Sequence, residues 1–192
     1  MGLTSEIIID SNMTLEEALR NTNAPDEIVR QQTLLDVEYY STDNRLHQGQ
    51  VVINKLIAQD IQEIFRLIKD IRFPIHQAIP IATYEWNDNR SMSANNTSGF
   101  CYRKIAGTDM MSYHATGCAI DINPAFNPLI WNPPFDSKPH QPQGAVYDIK
   151  RPGTFHLEHP VVQEFINRGF IWGRFLDKYD DNHHFHKIIP SV

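Results

Sequence analysis

The clearest pattern of apolar positions along the chain predicts an amphipathic helix from Lys55 to about Ile71. Apolar residues recur there at helical spacing and form one stripe, which comprises Ile57, Ile61, Ile64, Phe65 and Ile68. Pro74 closes the segment, because a proline cannot continue a helix.

Three shorter helices are predicted from their end signals. Thr14-Leu15-Glu16-Glu17 has the form of a capping box that opens a short helix, and Pro25 suits the first turn of a second helix running to about Leu34. Pro160 opens a third helix, which Gly169 ends. Residues 1–34 therefore read as a helical extension and residues 35–192 as the core of a single domain, which suits a chain of 192 residues.

Alternating apolar and polar positions predict the strands. Leu35–Tyr39 alternates, and Gly49–Asn54 reads as its hairpin partner. Further strands are expected at Ala78 to Tyr84, Phe100 to Lys104, Cys118 to Asn123, Phe170 to Trp172 and His184 to Ile189. Because helices and strands mix without a βαβ rhythm, we expect an α+β fold with a mainly antiparallel sheet flanked by helices.

Two segments are predicted to be loops. Asn87 to Gly99 is polar, and Pro124 to Pro152 contains seven prolines and no periodicity. A loop as long as the second one is usually functional, so we expect it to form a wall or lid of a cleft.

Composition narrows the classes of function. The net charge is −6 with no basic run, which argues against nucleic acid as a partner. No apolar stretch approaches the length of a membrane span, and the N-terminus shows no secretory signal pattern, although a signal removed earlier would leave the same sequence. Nothing in the composition indicates an oligomeric state.

The chain has two cysteines, Cys101 and Cys118. Two are too few for a disulfide scaffold, and their spacing is not that of a zinc ribbon. They are either two small buried thiols or one bridge formed in an oxidising compartment.

The stretch from Ser112 to Asp121 carries the first candidate chemistry. His114 and Asp121 lie seven positions apart around a turn of small residues, where Gly117 can adopt a backbone conformation closed to other residues. Such a turn brings the imidazole near the carboxylate. Strand alternation directs Asp121 toward a cleft if the other face is buried through Cys118, Ile120 and Ile122.

A second stretch, Asp181-Asn182-His183-His184-Phe185-His186, adds three imidazoles and another carboxylate. His184 and His186 share one strand face, His183 takes the other, and Asp181 precedes His184 by three residues. The two stretches together can supply two imidazoles and a carboxylate for one zinc ion, leaving a second carboxylate as a base. The alternative is a histidine-rich solvent edge, and for His183 this alternative is favoured.

Other histidines are weaker candidates. His156 and His159 flank Glu158, but Pro160 follows at once, which favours a loop and a helix cap over a ligand pair. Three more histidines stand alone and read as ordinary polar residues: His47, His76 and His140.

The motifs match a known pattern. Ser112, His114, Gly117, Ala119 and Asp121 occur in order before Ile122-Asn123-Pro124, and Gly169-Phe170-x-Trp172-Gly173 and Asp181-x-x-His184-Phe185 follow downstream. With these motifs the chain resembles the family of zinc D-alanyl-D-alanine carboxypeptidases and L-alanyl-D-glutamate peptidases, which includes VanY-like enzymes and phage endolysins. The resemblance covers roughly residues 84–187, and is thinner before them.

The resemblance implies roles for individual residues. His114, Asp121 and His184 would hold one Zn²⁺ per chain, and Asp181 would be the catalytic base. Arg103 is the best match to a substrate-holding arginine. Three further residues are candidates for substrate contact: Arg90 as the runner-up to Arg103, Ser112, which could equally be a turn residue, and Trp172, for which a place in the core is the favoured alternative.

The resemblance also implies fold and function. The fold would be that of the hedgehog and DD-peptidase type of zinc peptidase, with metal motifs in residues 112–124 and 170–187. The activity would be hydrolysis of bacterial peptidoglycan stem peptides at a bond involving a D-amino acid, by a D,D-carboxypeptidase or an L,D-endopeptidase in the cell envelope.

Two departures from the family pattern bear on the cleft. Relatives often continue Trp-Gly-Gly-x-Trp where this chain has Trp172-Gly173-Arg174-Phe175-Leu176, which could reshape the cleft wall. His186 stands where a non-ligand is usual, so it either competes for the metal or lines the site.

Two other functions stay open: a non-catalytic, zinc-stabilised wall-binding module, and a zinc amidase or dipeptidase acting on a related substrate. Asp181 speaks against the module, because a structural zinc more often has four protein ligands and no adjacent base.

Overall fold

The structure is a computed structural model and describes residues 6–189. It contains five α-helices in this range: α1 Leu15–Ala18, α2 Asp26–Val29, α3 Ala58–Asp70, α4 Asp88–Ser93 and α5 Pro160–Asn167. The strands are β1 Ile8–Ile9, β2 Gln32–Tyr40, β3 Leu46–Asn54, β4 Gln77–Ala78, β5 Asn96–Thr97, β6 Ala119–Asp121, β7 Leu129–Trp131, β8 Ile171–Trp172, β9 Tyr179–Asp181 and β10 His184–His186. Short 3₁₀ helices cover Ile81–Tyr84 and Tyr113–Thr116.

The hairpin β2–β3 and the helix α3 form the first layer of the core. The two strands pair antiparallel along their whole length, from Gln32 opposite Asn54 to Tyr40 opposite Leu46. Helix α3 lies against β2, and the stripe predicted from the sequence is buried: Ile57, Ile61, Ile64, Phe65 and Ile68. Burying one such side chain stabilises the fold by about 1.5–3 kcal/mol, so the stripe fixes the helix on the hairpin.

Strand β10 anchors the second layer. Its Phe185 ring stacks on Phe165 of α5 with centroids 4.0 Å apart and lies parallel to Trp172 of β8 at 6.0 Å. Phe155 meets the same ring edge-on at 5.4 Å. These contacts bury one face of the sheet β6-β10-β8, so its other face is left to carry polar side chains.

The expected α+β class agrees with this mixture of helices and small sheets, but the strands do not form one mainly antiparallel sheet. They form four sheets, ordered β1-β3-β2, β6-β10-β8, β4-β5 and β7-β9. Pairing is antiparallel except between β1 and β3 and between β4 and β5. Outside the hairpin the strands are only two or three residues long.

The N-terminal helices are shorter than predicted. The capping box on Thr14 is present, but α2 ends at Val29 rather than Leu34. Gln32 instead begins β2, and its buried side chain donates hydrogen bonds to the carbonyls of Ile28 and Thr116, which draws the chain into the hairpin ladder. Residues 32–34 are therefore extended, and β1 is extended as well. The N-terminal segment that was predicted to be a helical extension is thus only partly helical. Its residues 1–5 lie outside the described range.

The middle of the chain departs most from the predicted strands. Ala78 to Tyr84 is strand only at its first residue, because Pro80 has no N–H to donate and is followed by a 3₁₀ turn. The predicted loop from 87 to 99 contains α4, which Asn87 caps by accepting a hydrogen bond from the Arg90 N–H, and β5. Residues 100–104 make a single bridge, between Lys104 and Met111, instead of a strand.

Both cysteines are buried free thiols, so the bridge considered from the sequence is wrong. Burial raises the pKa of Cys101 to about 12, which keeps its thiol protonated and unreactive at neutral pH. Among residues 6–189, no helix has the length and apolar character needed to cross a bilayer.

Helix α5 begins with the cap that its sequence predicts. His159 Nδ1 accepts a hydrogen bond from the Val161 N–H at 3.2 Å, so the ring must be neutral at that nitrogen. Burial, aided by the charge of His156, lowers the pKa of His159 to about 4. This histidine caps a helix and is not part of a metal-ligand pair.

We expect His159→Asn to weaken the acid sensitivity of the fold. A folded-state pKa below the ordinary 6.5 means that the unfolded chain binds a proton first, so this contribution to stability is present above about pH 6.5 and is lost as the pH falls toward 4. Asparagine caps without titrating. Urea unfolding at pH 7 and pH 5 should show a smaller loss of unfolding free energy in the variant than in the wild type; equal losses would contradict the role of His159.

Candidate active site

The register of the β6–β10 ladder brings the first two polar groups of the site together. Asp121 lies directly opposite His184, while Phe185 lies opposite Ile120 on the core face. Residues opposite each other on antiparallel strands have their side chains on the same face and in contact. The distance between Asp121 Oδ1 and His184 Nδ1 is 3.0 Å.

The turn before β6 brings in His114. Ser112 caps the 3₁₀ helix, since its hydroxyl accepts a hydrogen bond from the His114 N–H. Gly117 then reverses the chain at φ +73°, and a Cβ there would lie 2.8 Å from the backbone nitrogen of Asn54. Only glycine meets both demands, so the turn depends on this residue.

Three donor atoms thus form a small triangle. His114 Nε2 is 3.1 Å from His184 Nδ1 and 3.2 Å from Asp121 Oδ1. The other ring nitrogen of His114, Nδ1, lies 2.6 Å from the Gly99 carbonyl oxygen, which can only accept a hydrogen bond. Nδ1 therefore carries the proton, and in the neutral ring the lone pair of Nε2 points at the other two atoms.

This donor set fits a metal ion. Zinc bonds of about 2.0–2.1 Å to nitrogen and oxygen place tetrahedral ligands about 3.3 Å apart, close to the sides of the triangle. Two imidazoles and one carboxylate leave a fourth position open, and a histidine whose second nitrogen donates to a backbone carbonyl is typical of metal sites. The group His114, Asp121 and His184 is also the one cluster of metal-ligating side chains found among residues 6–189.

The charges of the site favour a cation at the same place. Burial opposes ionisation of Asp121, yet the charges of His114 and His183 outweigh it and hold the pKa of the carboxyl well below its usual range. Burial also opposes protonation of His114, but the Asp121 charge raises the pKa of that imidazole above its usual value. A proton between the two groups and a metal ion are therefore alternatives at this position.

Asp181, the predicted base, lies at the end of β9, beside the triangle. Its N–H donates to the Gly173 carbonyl, and the Gly173 N–H donates to the His184 carbonyl. A Cβ on Gly173 would lie 2.8 Å from the Asp181 carbonyl oxygen, so glycine is needed for this close packing. On the opposite side, β9 pairs with β7, where Leu129 faces Asp181.

His183 is the main feature of the site that sequence reasoning missed. It is 3% exposed, its Nδ1 donates to the Asn127 carbonyl at 2.8 Å, and its Nε2 lies 3.0 Å from Asp181 Oδ1. Burial opposes its charge, but Asp181 and Asp121 outweigh burial and raise the pKa of His183 to about 10. No local pattern could reveal this, because Asn127 lies 56 positions earlier in the chain.

A cavity of about 310 Å³ opens over the triangle. Arg103 lines it and is held by an ion pair with Asp88, Nη2 to Oδ2 2.8 Å. Burial by itself would lower the pKa of Arg103. The negative charges of Asp88 and Asp121 outweigh this effect, so the pKa is raised and the guanidinium is charged. Its buried Nε has no hydrogen-bond partner among the described residues. The arginine therefore has donor capacity to offer a bound molecule.

Arg90, the runner-up, lies outside this cavity. Its side chain is 58% exposed and pairs with Glu85 on the surface at 2.6 Å. The structure thus brings Arg103 to the triangle and leaves Arg90 away from it.

The remaining predicted contacts line the cavity in different ways. Ser112 reaches it but already caps the His114 turn, and Trp172 is buried in the core with its Nε1 donating to the Asn182 carbonyl. His186 stacks on Tyr113 at 4.0 Å, and burial, with the nearby His184 and His114, lowers the pKa of His186 to about 4. It lines the site as a neutral ring and is not part of the metal cluster.

The proline-rich segment forms part of the cavity wall. Leu129 of β7 and Gln141 line the cavity, and they bond to each other through both backbone groups. A larger cavity of about 680 Å³ lies beyond Ser112 and Tyr113, which line both spaces, but it contains none of the three clustered side chains.

Comparison with known proteins adds one match. Residues 106–187 match a family model described as D-alanyl-D-alanine carboxypeptidase. The matched segment contains His114, Asp121, Asp181 and His184, and it confirms the resemblance seen in the motifs; Arg103 lies just before it. The searches of curated proteins and of solved structures returned no match.

We expect the protein to bind one zinc ion and Asp121→Asn to abolish tight binding. The substitution keeps the side-chain shape but removes the charge that faces both imidazoles. Titration of apo protein should give one equivalent, and zinc at a hundredfold over its Kd should stabilise the wild type by about 2.7 kcal/mol.

The matched control is His156→Ala, which removes a partly exposed histidine outside the cluster and should leave zinc affinity unchanged. Equal zinc affinity in Asp121→Asn and the wild type would show that the triangle is not the metal site.

Proposed function

We propose, because residues 106–187 match the model of the D-alanyl-D-alanine carboxypeptidase family, that the chain is a zinc-dependent peptidase acting on peptidoglycan stem peptides at a bond involving a D-amino acid. One observation carries the proposal: His114, Asp121 and His184 converge in a cavity that also holds a carboxylate and a charged arginine.

The three clustered side chains would hold the metal. Zinc bound by His114, Asp121 and His184 would supply a Lewis acid for the scissile carbonyl and for the attacking water. The protein contributes the fixed donor geometry, because the β6–β10 register and the hydrogen bond from His114 to Gly99 orient the ligands in advance.

Asp181 is suited to move the proton. It lines the cavity, and its side chain is 18% exposed. An ionised carboxylate placed there takes a proton from the attacking water and passes it to the leaving amine.

Arg103 is suited to hold the peptide. The planar guanidinium can pair with a carboxylate or a carbonyl through two parallel hydrogen bonds, and Asp88 fixes its position without consuming all of its donors. The cavity volume of about 310 Å³ is at the small end of ligand pockets, which suits a short stretch of peptide.

The proposed substrate implies where the protein acts, and one alternative function has to be weighed against the peptidase. A peptidoglycan peptidase would act in the bacterial cell envelope, which we include in the proposal. The rival wall-binding module needs neither a free carboxylate nor an open metal position, and Asp181 supplies the first beside a three-residue donor set.

Digestion of purified muropeptides, followed by mass spectrometry, tests the proposal. Release of a single terminal D-Ala would identify a carboxypeptidase, and release of a larger fragment would identify an endopeptidase. A zinc-loaded protein that cuts neither kind of bond would refute the proposal and favour the wall-binding module.

We expect Asp181→Asn to lower kcat on the cleaved muropeptide by roughly 10²–10⁴-fold, the usual contribution of a general base. Asparagine is similar in size but cannot take a proton, and Asp181 is not in the metal cluster. Zinc content, measured by elemental analysis, should stay at the wild-type level. Equal turnover in the two proteins would remove Asp181 from the mechanism.

We expect Arg103→Gln to lower kcat/KM by roughly 10–100-fold, the range of a charge-assisted hydrogen bond. Arg90→Gln is the matched control, because it removes the same charge from outside the cavity and should leave kcat/KM unchanged. Arg103→Lys keeps the charge but loses the planar guanidinium, so its kcat/KM should lie between those of Arg103→Gln and Arg90→Gln. If Arg90→Gln has the larger effect, the assignment of Arg103 is wrong.

A further inference from the structure

We propose that His183 is a positioning residue that holds the Asp181 carboxylate at the edge of the cavity. The inference rests on the proposed peptidase function and concerns a histidine that neither belongs to the metal cluster nor lies in a recognised motif position.

One side of the His183 ring is fixed to a rigid part of the fold. Its Nδ1 donates to the Asn127 carbonyl at 2.8 Å. Asn127 is fully buried, its amide accepts from the Phe155 N–H at 2.7 Å, and it donates to the Gly153 carbonyl at 3.0 Å. The orientation of the imidazole is therefore set by the Asn127 carbonyl and the buried hydrogen bonds that hold Asn127 in place.

The other side of the ring faces the two carboxylates. Nε2 lies 3.0 Å from Asp181 Oδ1 and 3.9 Å from Asp121 Oδ2. Among residues 6–189, the imidazole of His183 is the one basic side chain within 4 Å of the Asp181 carboxylate. This contact is thus what restrains the carboxylate.

The consequence is catalytic rather than structural. A carboxylate free to rotate would spend part of its time away from the attacking water, and a misplacement of about 1 Å can cost about 100-fold in rate. Loss of an outer partner of a metal site typically costs about 10–100-fold in activity. His183 thus holds the base Asp181 in place, as the Gly99 carbonyl holds the ligand His114.

Two substitutions separate the two sides of the ring. His183→Asn places an amide near the former Nδ1, which keeps a donor for Asn127 but removes the contact with Asp181. His183→Gln places an amide near the former Nε2 and keeps a donor for Asp181. We expect His183→Asn to lower kcat by about 10–100-fold with KM unchanged, and His183→Gln to lose less.

A double-mutant cycle that combines His183→Asn with Asp181→Asn shows whether His183 acts through the Asp181 carboxylate. If it does, His183→Asn should cost no further activity once Asp181 is already Asn. Zinc affinity, measured by chelator competition without substrate, should be the same in wild type, His183→Asn and the surface control His156→Asn.

The outcomes are distinguishable. Wild-type kcat in His183→Asn, a loss of zinc affinity as large as the loss of kcat, or a full additional loss on the Asp181→Asn background would each overturn the inference. A wild type that binds zinc but cleaves no stem peptide would defeat the proposed function instead.

Discussion

The antiparallel register between β6 and β10 is the constraint on which the candidate site depends. It sets Asp121 opposite His184 and, one residue along, Ile120 opposite Phe185. Because side chains alternate across a strand, the same ladder that buries Phe185 against Phe165 must turn His184 toward the cavity. A slip of β10 by one residue would turn His184 into the core and Phe185 toward the cavity, so core packing and site assembly are coupled.

The site concentrates buried charge that has to be balanced. Asp121 is 2% exposed and lies within 4 Å of three imidazoles, those of His114, His183 and His184. A carboxylate in such a place is costly unless it is paired. A divalent cation at the triangle would provide that balance, and it would leave His183 to face Asp181. His114 and His183 both donate from Nδ1 to a backbone carbonyl. What separates the ligand from the outer partner is the carboxylate nearest to Nε2, which is Asp121 for His114 at 3.2 Å and Asp181 for His183 at 3.0 Å.

Sequence reasoning succeeded where the signal was local. The stripe on α3, the capping box at Thr14 and the β2–β3 hairpin follow from spacing within a few residues, and the motifs located the three residues that converge. It failed where distant contacts decide. Gln32 begins a strand because its side chain donates a hydrogen bond to the Thr116 carbonyl, and the His183 ring is oriented because the Asn127 carbonyl accepts its hydrogen bond.

The proline-rich segment shows how this chain combines both kinds of information. Its composition predicted a wall of the cleft, and it does carry cavity-lining residues in β7 and at Gln141. Arg174, where relatives often have glycine, donates to the Tyr147 hydroxyl, which in turn donates to the Phe155 carbonyl. The departure from the family pattern therefore fastens the wall to the chain that leads into β9. The metal ligands and the base are held by different elements. The ligands lie in the 3₁₀ helix Tyr113–Thr116, β6 and β10, and the base lies in β9, where His183 links it to Asn127.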